Sequence, residues 1–242
     1  MSDKLLYQRT QIAIGEKAVR TLQQSTVAIF GVGGVGGAVV EMLSRTGVGH
    51  FILIDFDKFD ETNLNRQILS SRAHIGKTKV DVAAARIKAL NPDAQVTTHK
   101  LFFDESHWAT VFDDQQIDFV VDAIDSVPAK CFLLQECLRK KIKVISSMGA
   151  GNKLDPAKVH LSDISKTHAC GLAKAVRLRL RKAGFKKGLP VVFSTETPFF
   201  DKNLAIVEGQ KKPLVGSISY MPNLFGIHIS AHVIKQLTQR AK

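Results

Sequence analysis

The sequence contains a glycine-rich loop, Gly31-Val32-Gly33-Gly34-Val35-Gly36, directly after the apolar run 27–30. Glycines at this spacing let backbone N–H groups approach a phosphate or a ribose, and the N-terminus of a following helix favours negative charge. The same pattern occurs in dinucleotide-dependent enzymes, so the loop alone does not indicate which nucleotide is bound. We expect five loop residues to bind it: Gly31, Gly33, Gly34, Val35 and Gly36.

Polar side chains after the loop favour a triphosphate over a dinucleotide. Asp55 ends the second apolar run, where a carboxylate accepts hydrogen bonds from ribose hydroxyls. A nicotinamide enzyme would have the same residue, so Asp55 does not distinguish the two nucleotides. A dinucleotide contains only a pyrophosphate, which the N-terminus of a helix can hold with few cations. Arg66 and Lys79 add more positive charge than this requires, so they favour ATP, whose reaction releases pyrophosphate. An ordinary basic loop is the alternative that these two cations leave open. Three amides are expected to help orient the nucleotide: Asn63, Asn65 and Gln67.

Carboxylates follow the fourth predicted strand. Asp125 is expected at the carboxyl edge of the sheet, where ligands of doubly wound folds bind. A carboxylate that faces phosphates requires a cation between them, so we assign Asp125 to Mg²⁺. The neighbouring Ser126 is expected to contact the nucleotide and to cap the next helix. Asp122 lies among valines and is expected to be structural or to support the ligand-binding residues from behind, whereas Asp57 is interpreted as a solvated loop acid.

Alternating strands and helices are needed to position these residues. The chain has five buried strand patterns, at 27–30, 51–55, 94–98, 117–123 and 143–147. Helical patterns lie between them, at 34–45, 79–90 and 126–140. The alternation predicts an α/β fold with a doubly wound, Rossmann-like, mostly parallel sheet and helices on both faces.

The pattern changes after residue 150. Strands are predicted at 159–164, 189–194 and 204–207, with a basic helix at 172–183. We therefore expect residues 1–150 to form the nucleotide-binding core and residues 151–242 to form a C-terminal α+β extension packed on the same domain.

The positive charge is concentrated in one part of the chain. The net charge is +12, and residues 139–187 contain 14 Lys and Arg but two acids, whereas the remainder has 20 of each sign. Such a patch attracts a polyanion, and a solvated helix face with a basic loop is the alternative. Six residues are expected to bind nucleic acid: Arg177, Arg179, Arg181, Lys182, Lys186 and Lys187.

Cysteine content and hydropathy indicate whether the protein works in the cytoplasm or at a membrane. Three cysteines, Cys131, Cys137 and Cys170, have no CxxC spacing, which fits a reducing cytoplasm and disfavours a four-cysteine zinc site. Residues 214–234 carry no charged side chain and could span a bilayer. Their glycine, proline, asparagine and histidine content favours a loop followed by a mostly buried helix, with a membrane-associated tail as the alternative.

As a set, the glycine loop, Asp55, Arg66, Lys79 and Asp125 resemble the adenylating domain of ubiquitin-activating-like enzymes, the ThiF/MoeB superfamily. The motifs 63–67 and 122–125 belong to this resemblance, which covers most of residues 1–150. It implies an ATP-binding adenylation core in which Arg66, Lys79 and Asp125 promote attack of a substrate carboxylate on the α-phosphate, giving an acyl-adenylate and pyrophosphate.

The N-terminus adds to this resemblance. Residues 7–9 look like the start of the superfamily's chains, although Leu6 replaces an arginine. The resemblance implies that Arg9 is a catalytic residue that reaches the partner subunit's site in a homodimer.

The second half of the chain resembles one branch of this superfamily, the tRNA threonylcarbamoyladenosine dehydratases. The similar segments are 122–127, 149–156, 163–167 and 192–196. The resemblance implies that ATP activates the threonyl carboxylate of a modified adenosine beside the tRNA anticodon, and that the ureido nitrogen then closes a ring and expels AMP. It also implies tRNA as partner, a cysteine desulfurase and its sulfur acceptor as further partners, and no zinc. Residues 168–171 depart from the branch's pattern.

Other functions remain open. An activating enzyme for a small ubiquitin-like sulfur carrier would need Cys170 to form a thioester, but we interpret this cysteine as a packing residue because it is a lone cysteine beside an apolar helix. The resemblance to the dehydratases also implies an intramolecular nucleophile, which needs no enzyme thiol. A non-catalytic scaffold would bind ATP without splitting it, and the complete set Arg66, Lys79 and Asp125 disfavours that. A third alternative is a nicotinamide-dependent oxidoreductase, but no residue that follows Asp55 in the sequence supports this function.

Overall fold

A computed structural model describes residues 3–113, 115–199 and 214–239. Its strands are β1 (Thr26–Phe30), β2 (His50–Ile54), β3 (Gln95–His99), β4 (Phe119–Asp122), β5 (Val144–Ser147), β6 (Val159–Asp163) and β7 (Pro190–Ser194). They form a sheet in the order β3-β2-β1-β4-β5-β7-β6. All neighbours pair in parallel except β6 and β7, which are antiparallel.

Helices connect and cover the strands. The described helices are α1 (Asp3–Leu6), α2 (Gln8–Ile14), α3 (Glu16–Gln23), α4 (Gly34–Thr46), α5 (Lys79–Leu90), α6 (Trp108–Phe112), α7 (Val127–Arg139), α8 (Gly171–Lys182) and α9 (Tyr220–Thr238). Short 3-10 turns lie at Glu61–Asn63, Arg72–His74, Glu105–His107, Pro156–Lys158 and Ile164–Lys166.

Strand β1 explains why the sheet has helices on both faces. All five of its residues are buried. Val27 and Ile29 join the apolar cluster beneath α4, α5 and α9, whereas Ala28 and Phe30 join the cluster beneath α6, α7 and α8. Successive side chains of a strand point to opposite faces, so a continuous apolar run requires cover on both sides.

The predicted doubly wound α/β fold is confirmed, and most predicted boundaries lie within two residues of the observed ones. Strands β6 and β7, from the part of the chain after residue 150, extend the same sheet. No sequence pattern indicated helices α1 to α3 or α6, and the predicted strand at 204–207 lies outside the described residues.

Helix α9 accounts for most of the uncharged stretch near the C-terminus. Its residues Met221, Phe225, Ile229 and Val233 are buried, and they share an apolar cluster with residues of α4. The side chains recur at the spacing of one helix face, which is the pattern of a helix packed on a core. Among the described residues, no helix combines the length and apolar character needed to cross a bilayer.

Candidate active site

A cavity of about 820 Å³ lies at the carboxyl ends of β1, β2, β4 and β5. Ligands of doubly wound folds bind at this edge. The structure brings ten of the predicted site residues into its lining: Gly31, Gly33, Gly34, Val35, Asp55, Asn63, Arg66, Gln67, Lys79 and Asp125. Four others lie outside the lining formed by the described residues: Gly36, Asn65, Ser126 and Arg9.

The glycine loop joins β1 to α4 and approaches its neighbours too closely for side chains. Gly31 has a φ of +87°, and a Cβ there would lie 2.6 Å from the carbonyl oxygen of Ala123. A Cβ on Gly36 would lie 1.8 Å from the carbonyl oxygen of Gly31. Gly36 therefore supports the tight turn, while Gly31, Gly33, Gly34 and Val35 line the cavity.

Asp55 follows β2 and braces this loop. Its carboxylate accepts hydrogen bonds from the N–H groups of Val32 (2.6 Å) and Asp57 (2.8 Å). Burial raises the pKa of Asp55, whereas those N–H groups and the charge of Lys79 oppose that rise. A carboxylate can accept further hydrogen bonds, so Asp55 remains available to a ribose.

Lys79 begins α5, and its ammonium is fixed inside the cavity wall. Its side chain is 7% exposed, and Nζ lies 2.8 Å from Oδ2 of Asp57. Asp57 is a loop acid whose side chain is 46% exposed, as interpreted, and it is also the ion-pair partner of Lys79. An ammonium has N–H groups beyond the one that this pair uses, and these can reach a phosphate.

Arg66 is carried by the loop that follows the turn Glu61–Asn63. Asp60 caps this turn by accepting the N–H of Thr62 at 2.9 Å. Nη1 of Arg66 donates to the carbonyl oxygen of Thr62 (2.7 Å) and to Oδ1 of Asn65 (2.9 Å). The guanidinium is therefore anchored through one nitrogen, and its other donors can bind a phosphate. Asn65 acts by orienting Arg66.

The start of α9 is docked on the same loop. Nδ2 of Asn65 donates to the carbonyl oxygen of Ser217, and Nδ2 of Asn223 donates to that of Arg66, both at 3.2 Å. Pro222 lines the cavity beside Gly34. Sequence reasoning missed Asn223, because this contact joins residues 157 positions apart and no local pattern marks it.

The two carboxylates after β4 differ in environment. Asp125 is exposed and lines the cavity, and no described side chain or N–H group bonds its carboxylate. Asp122 is fully buried, and its Oδ2 accepts from Lys130 Nζ and Ser146 Oγ, both at 2.6 Å. Asp122 is therefore structural, as expected. Ser126 occupies the N-cap of α7, but its side chain does not make the predicted capping bond.

The cysteines are in distinct places. Cys170 lines the far side of the cavity, and its Sγ accepts the N–H of Ala173 at 3.4 Å, which caps α8. Burial raises the pKa of both Cys131 and Cys137, which disfavours a nucleophilic role. In the described parts of the chain, no three His, Cys, Asp or Glu side chains are grouped to hold a metal ion.

The predicted nucleic-acid residues divide into two sets. Arg177 is half-buried and donates from Nη1 to the carbonyl oxygen and to Oγ1 of Thr167, at 2.9 and 2.6 Å. It therefore holds a loop instead of presenting its charge freely. Five side chains are exposed at the end of α8 and beyond it: Arg179, Arg181, Lys182, Lys186 and Lys187.

Comparison with known proteins shows which family the chain belongs to. A model of the ThiF family matches residues 7–242. The chain belongs to the ThiF family. It is 41% identical to the tRNA threonylcarbamoyladenosine dehydratase of Bacillus subtilis (strain 168) over 240 residues, which cover 96% of this chain and 94% of the relative. The enzyme of that name from Escherichia coli (strain K12) is 34% identical, with coverage of 94% and 91%.

Solved ThiF-type structures agree along nearly the whole chain. The E. coli tRNA N6-threonylcarbamoyladenosine dehydratase TcdA in complex with AMP superposes with a TM-score of 0.89 at 32% identity, covering 99% of this chain and 97% of that one. Its complex with ATP gives a TM-score of 0.88 at the same identity and coverage.

Proposed function

We propose that the protein is an ATP-dependent tRNA threonylcarbamoyladenosine dehydratase. It activates the threonyl carboxylate of the modified adenosine by adenylation, and ring closure then releases AMP. The observation that carries this proposal is the convergence of the glycine loop, Arg66, Lys79 and Asp125 on one cavity. The likeness to dehydratases over more than 90% of both chains supports the choice of substrate.

The nucleotide fits one half of the cavity. Backbone N–H groups of the glycine loop, at the N-terminus of α4, suit the phosphates, because helix N-termini attract anions. Asp55 lies after the neighbouring strand β2 and suits the ribose hydroxyls. Arg66 and Lys79, which line the same cavity, are suited to the outer phosphates, and their charge would stabilise the departing pyrophosphate.

The reaction has two steps. A threonyl carboxylate oxygen bonds to the α-phosphorus of ATP, and the bond from that phosphorus to the bridging oxygen breaks, which releases pyrophosphate. The ureido nitrogen then attacks the acyl carbon, the bond from this carbon to AMP breaks, and the nitrogen loses its proton. The modified adenosine has lost one water in total. Because the nucleophile is part of the substrate, ring closure needs no enzyme thiol.

Asp125 is suited to hold Mg²⁺ together with the nucleotide. Magnesium sites commonly combine one or two carboxylates with substrate phosphates and water. Asp125 is exposed at the cavity, whereas Asp122 is committed to Lys130. The donor set therefore fits a magnesium–nucleotide complex. When bound there, the ion would neutralise phosphate charge.

Further parts of the proposal concern assembly. We place tRNA near the exposed basic residues after Arg177 and assign no zinc to the protein.

Exposed apolar side chains of the N-terminal helices, Leu5, Leu6 and Ile12, suit a homodimer contact that would bring Arg9 to the partner's cavity. Residues 1–150 would be the adenylation core and residues 151–242 its tRNA-facing extension. We place the protein in the cytoplasm, with a cysteine desulfurase and its sulfur acceptor as further partners.

Mass spectrometry of tRNA nucleosides tests the proposed function. Threonylcarbamoylated tRNA is incubated with protein, ATP and Mg²⁺, then digested. We expect the threonylcarbamoyl nucleoside to lose the mass of one water, with AMP and pyrophosphate formed in equal amounts. Unchanged nucleoside together with intact ATP binding would instead indicate a non-catalytic scaffold.

A further inference from the structure

Lys153 is a buried cation that the adenylation chemistry does not use. It lies in the segment 149–153 after β5, lines the cavity and is 2% exposed. Lysine is rarely so buried without partners, because removing an ammonium from water is costly. Its position therefore requires an explanation.

Two backbone carbonyls hold this ammonium. Nζ donates to the carbonyl oxygen of Ala169 at 3.0 Å and to that of Glu196. Within the described residues these are its hydrogen-bond partners, which leaves one of its three N–H groups unused. Burial lowers the pKa of Lys153, whereas the electrostatic effect of the nearby Cys170 and Glu196 side chains opposes that change. The two carbonyl oxygens that accept from Nζ carry partial negative charge, which favours the charged form of the amine.

The order of the strands places Lys153 away from the nucleotide anchors. Asp55 follows β2, the glycine loop follows β1, Asp125 follows β4, and Lys153 follows β5. Neighbouring strands are about 4.8 Å apart, so β5 lies roughly 10 Å from β1 along this edge. We call the part of the cavity lined by residues 149–153, Cys170 and Leu172 the acceptor half.

Charge matching suggests what the acceptor half binds. Among the described residues that line the cavity, the Lys and Arg side chains are Arg66, Lys79 and Lys153. The first two face the triphosphate in the proposed function. The group that reacts with ATP carries one anion, its carboxylate, and a buried ammonium with a spare N–H group is a strong partner for a carboxylate.

We propose that Lys153 binds the threonyl carboxylate of the tRNA-borne group and makes the acceptor half selective for the modified adenosine. This inference rests on the proposed function. The carboxylate loses its charge when it is adenylated, so the ion pair exists only while the unreacted substrate is bound. Loss of the pair is therefore expected to weaken the binding of modified tRNA more than it slows the chemical step.

The test compares two tRNAs, one carrying the threonylcarbamoyl group and one unmodified. Binding is measured with the non-reacting analogue α,β-methylene-ATP present, so that no adenylate forms. We expect the wild-type protein to prefer the modified tRNA and Lys153→Gln to reduce that preference about tenfold or more. Glutamine keeps two N–H donors for the two carbonyls but removes the charge. Binding of unmodified tRNA and of the analogue should remain within about twofold.

Lys174→Gln is the matched control. It removes an exposed lysine of α8 that does not line the cavity, so the preference should be unchanged. A Lys153→Gln protein with the wild-type preference overturns the inference, as does a Lys153→Met protein that has lower thermal stability but keeps the preference. If wild-type protein leaves the modified nucleoside intact, the proposed function fails instead, and mass spectrometry distinguishes that case.

Discussion

Arg66 illustrates how one residue can be both fixed and free to bind. Its Nη1 is held by Thr62 and Asn65, while the loop that carries it is tied to α9 through Asn223. Preorganised donors stabilise developing charge better than mobile ones, because they do not have to reorganise during the reaction. The neighbouring amides thus contribute by setting the direction of a guanidinium that a departing pyrophosphate can meet.

Replacement of this guanidinium should lower turnover without unfolding the protein. For Arg66→Ala we expect kcat/KM for modified tRNA to fall about 10²–10³-fold, the usual effect of losing one preorganised charge-stabilising donor. Arg66→Lys should recover only part of this loss, because an ammonium lacks the fork that binds two phosphate oxygens. Pyrophosphate release measures both.

Arg72→Ala is the control for that experiment, since Arg72 is an exposed arginine of the neighbouring turn outside the cavity lining. It should match the wild-type rate. Wild-type pyrophosphate release by Arg66→Ala would contradict the role assigned to Arg66.

At the scale of elements, the strands and the longer helices were predictable, but helices α1 to α3, helix α6 and the side-chain partners were not. A strand buried on both faces must be a continuous apolar run, so β1, β2 and β4 are visible in the sequence. The ion pair of Asp57 with Lys79 forms where the loop after β2 meets the start of α5, 22 residues along the chain. Lys153 follows a glycine-rich stretch that looks like a solvent loop, and its partners lie 16 and 43 residues away. Such contacts depend on the assembled fold and leave no periodic pattern.

Glu41 links the helix of the glycine loop to its neighbour. Glu41 lies on α4 and is 5% exposed. Its carboxylate accepts two hydrogen bonds from Arg86 of α5, both at 2.8 Å. It accepts two more from Arg45, at 2.6 and 2.8 Å. The hydrogen bonds and charge of Arg86 and Arg45 lower the pKa of Glu41, against the effect of burial. A lowered pKa means that the folded protein is stabilised by the ionised carboxylate.

We expect Glu41→Gln to reduce the free energy of unfolding at pH 7 by about 1–2 kcal/mol. The contribution of Glu41 is fully present above its unfolded pKa of 4.5 and is lost as pH falls below that value towards the folded pKa. The difference between the two proteins should therefore shrink from pH 6 to pH 3.5 in urea unfolding. Glu16→Gln, which removes an exposed pair with Arg20, should change little at either pH. A constant difference across this range would contradict the proposed linkage.

In the whole molecule, the cavity and the exposed basic residues lie at opposite ends of helix α8. The N-terminus of α8 lies at the cavity through Cys170 and Gly171, and the exposed basic residues lie at its other end. A helix of 12 residues is about 18 Å long, so these cations lie well away from the reacting atoms. If the anticodon loop of a tRNA enters the cavity, the phosphates of the adjoining stem would be attracted to these exposed cations. Charge there would add affinity but no selectivity for the modified base.

The triple substitution Arg181→Ala, Lys182→Ala, Lys186→Ala tests this arrangement. We expect it to weaken modified and unmodified tRNA equally and to reduce the slope of log affinity against log salt by about 2–3, because each lost phosphate contact removes nearly one released counterion. ATP binding should not change. The control substitutes Lys17 and Lys88, which are exposed on α3 and α5, and it should leave the slope unaltered. Equal slopes for the triple variant and the wild type would mean that tRNA approaches by another surface, and that the excess charge of residues 139–187 serves only to keep that face solvated.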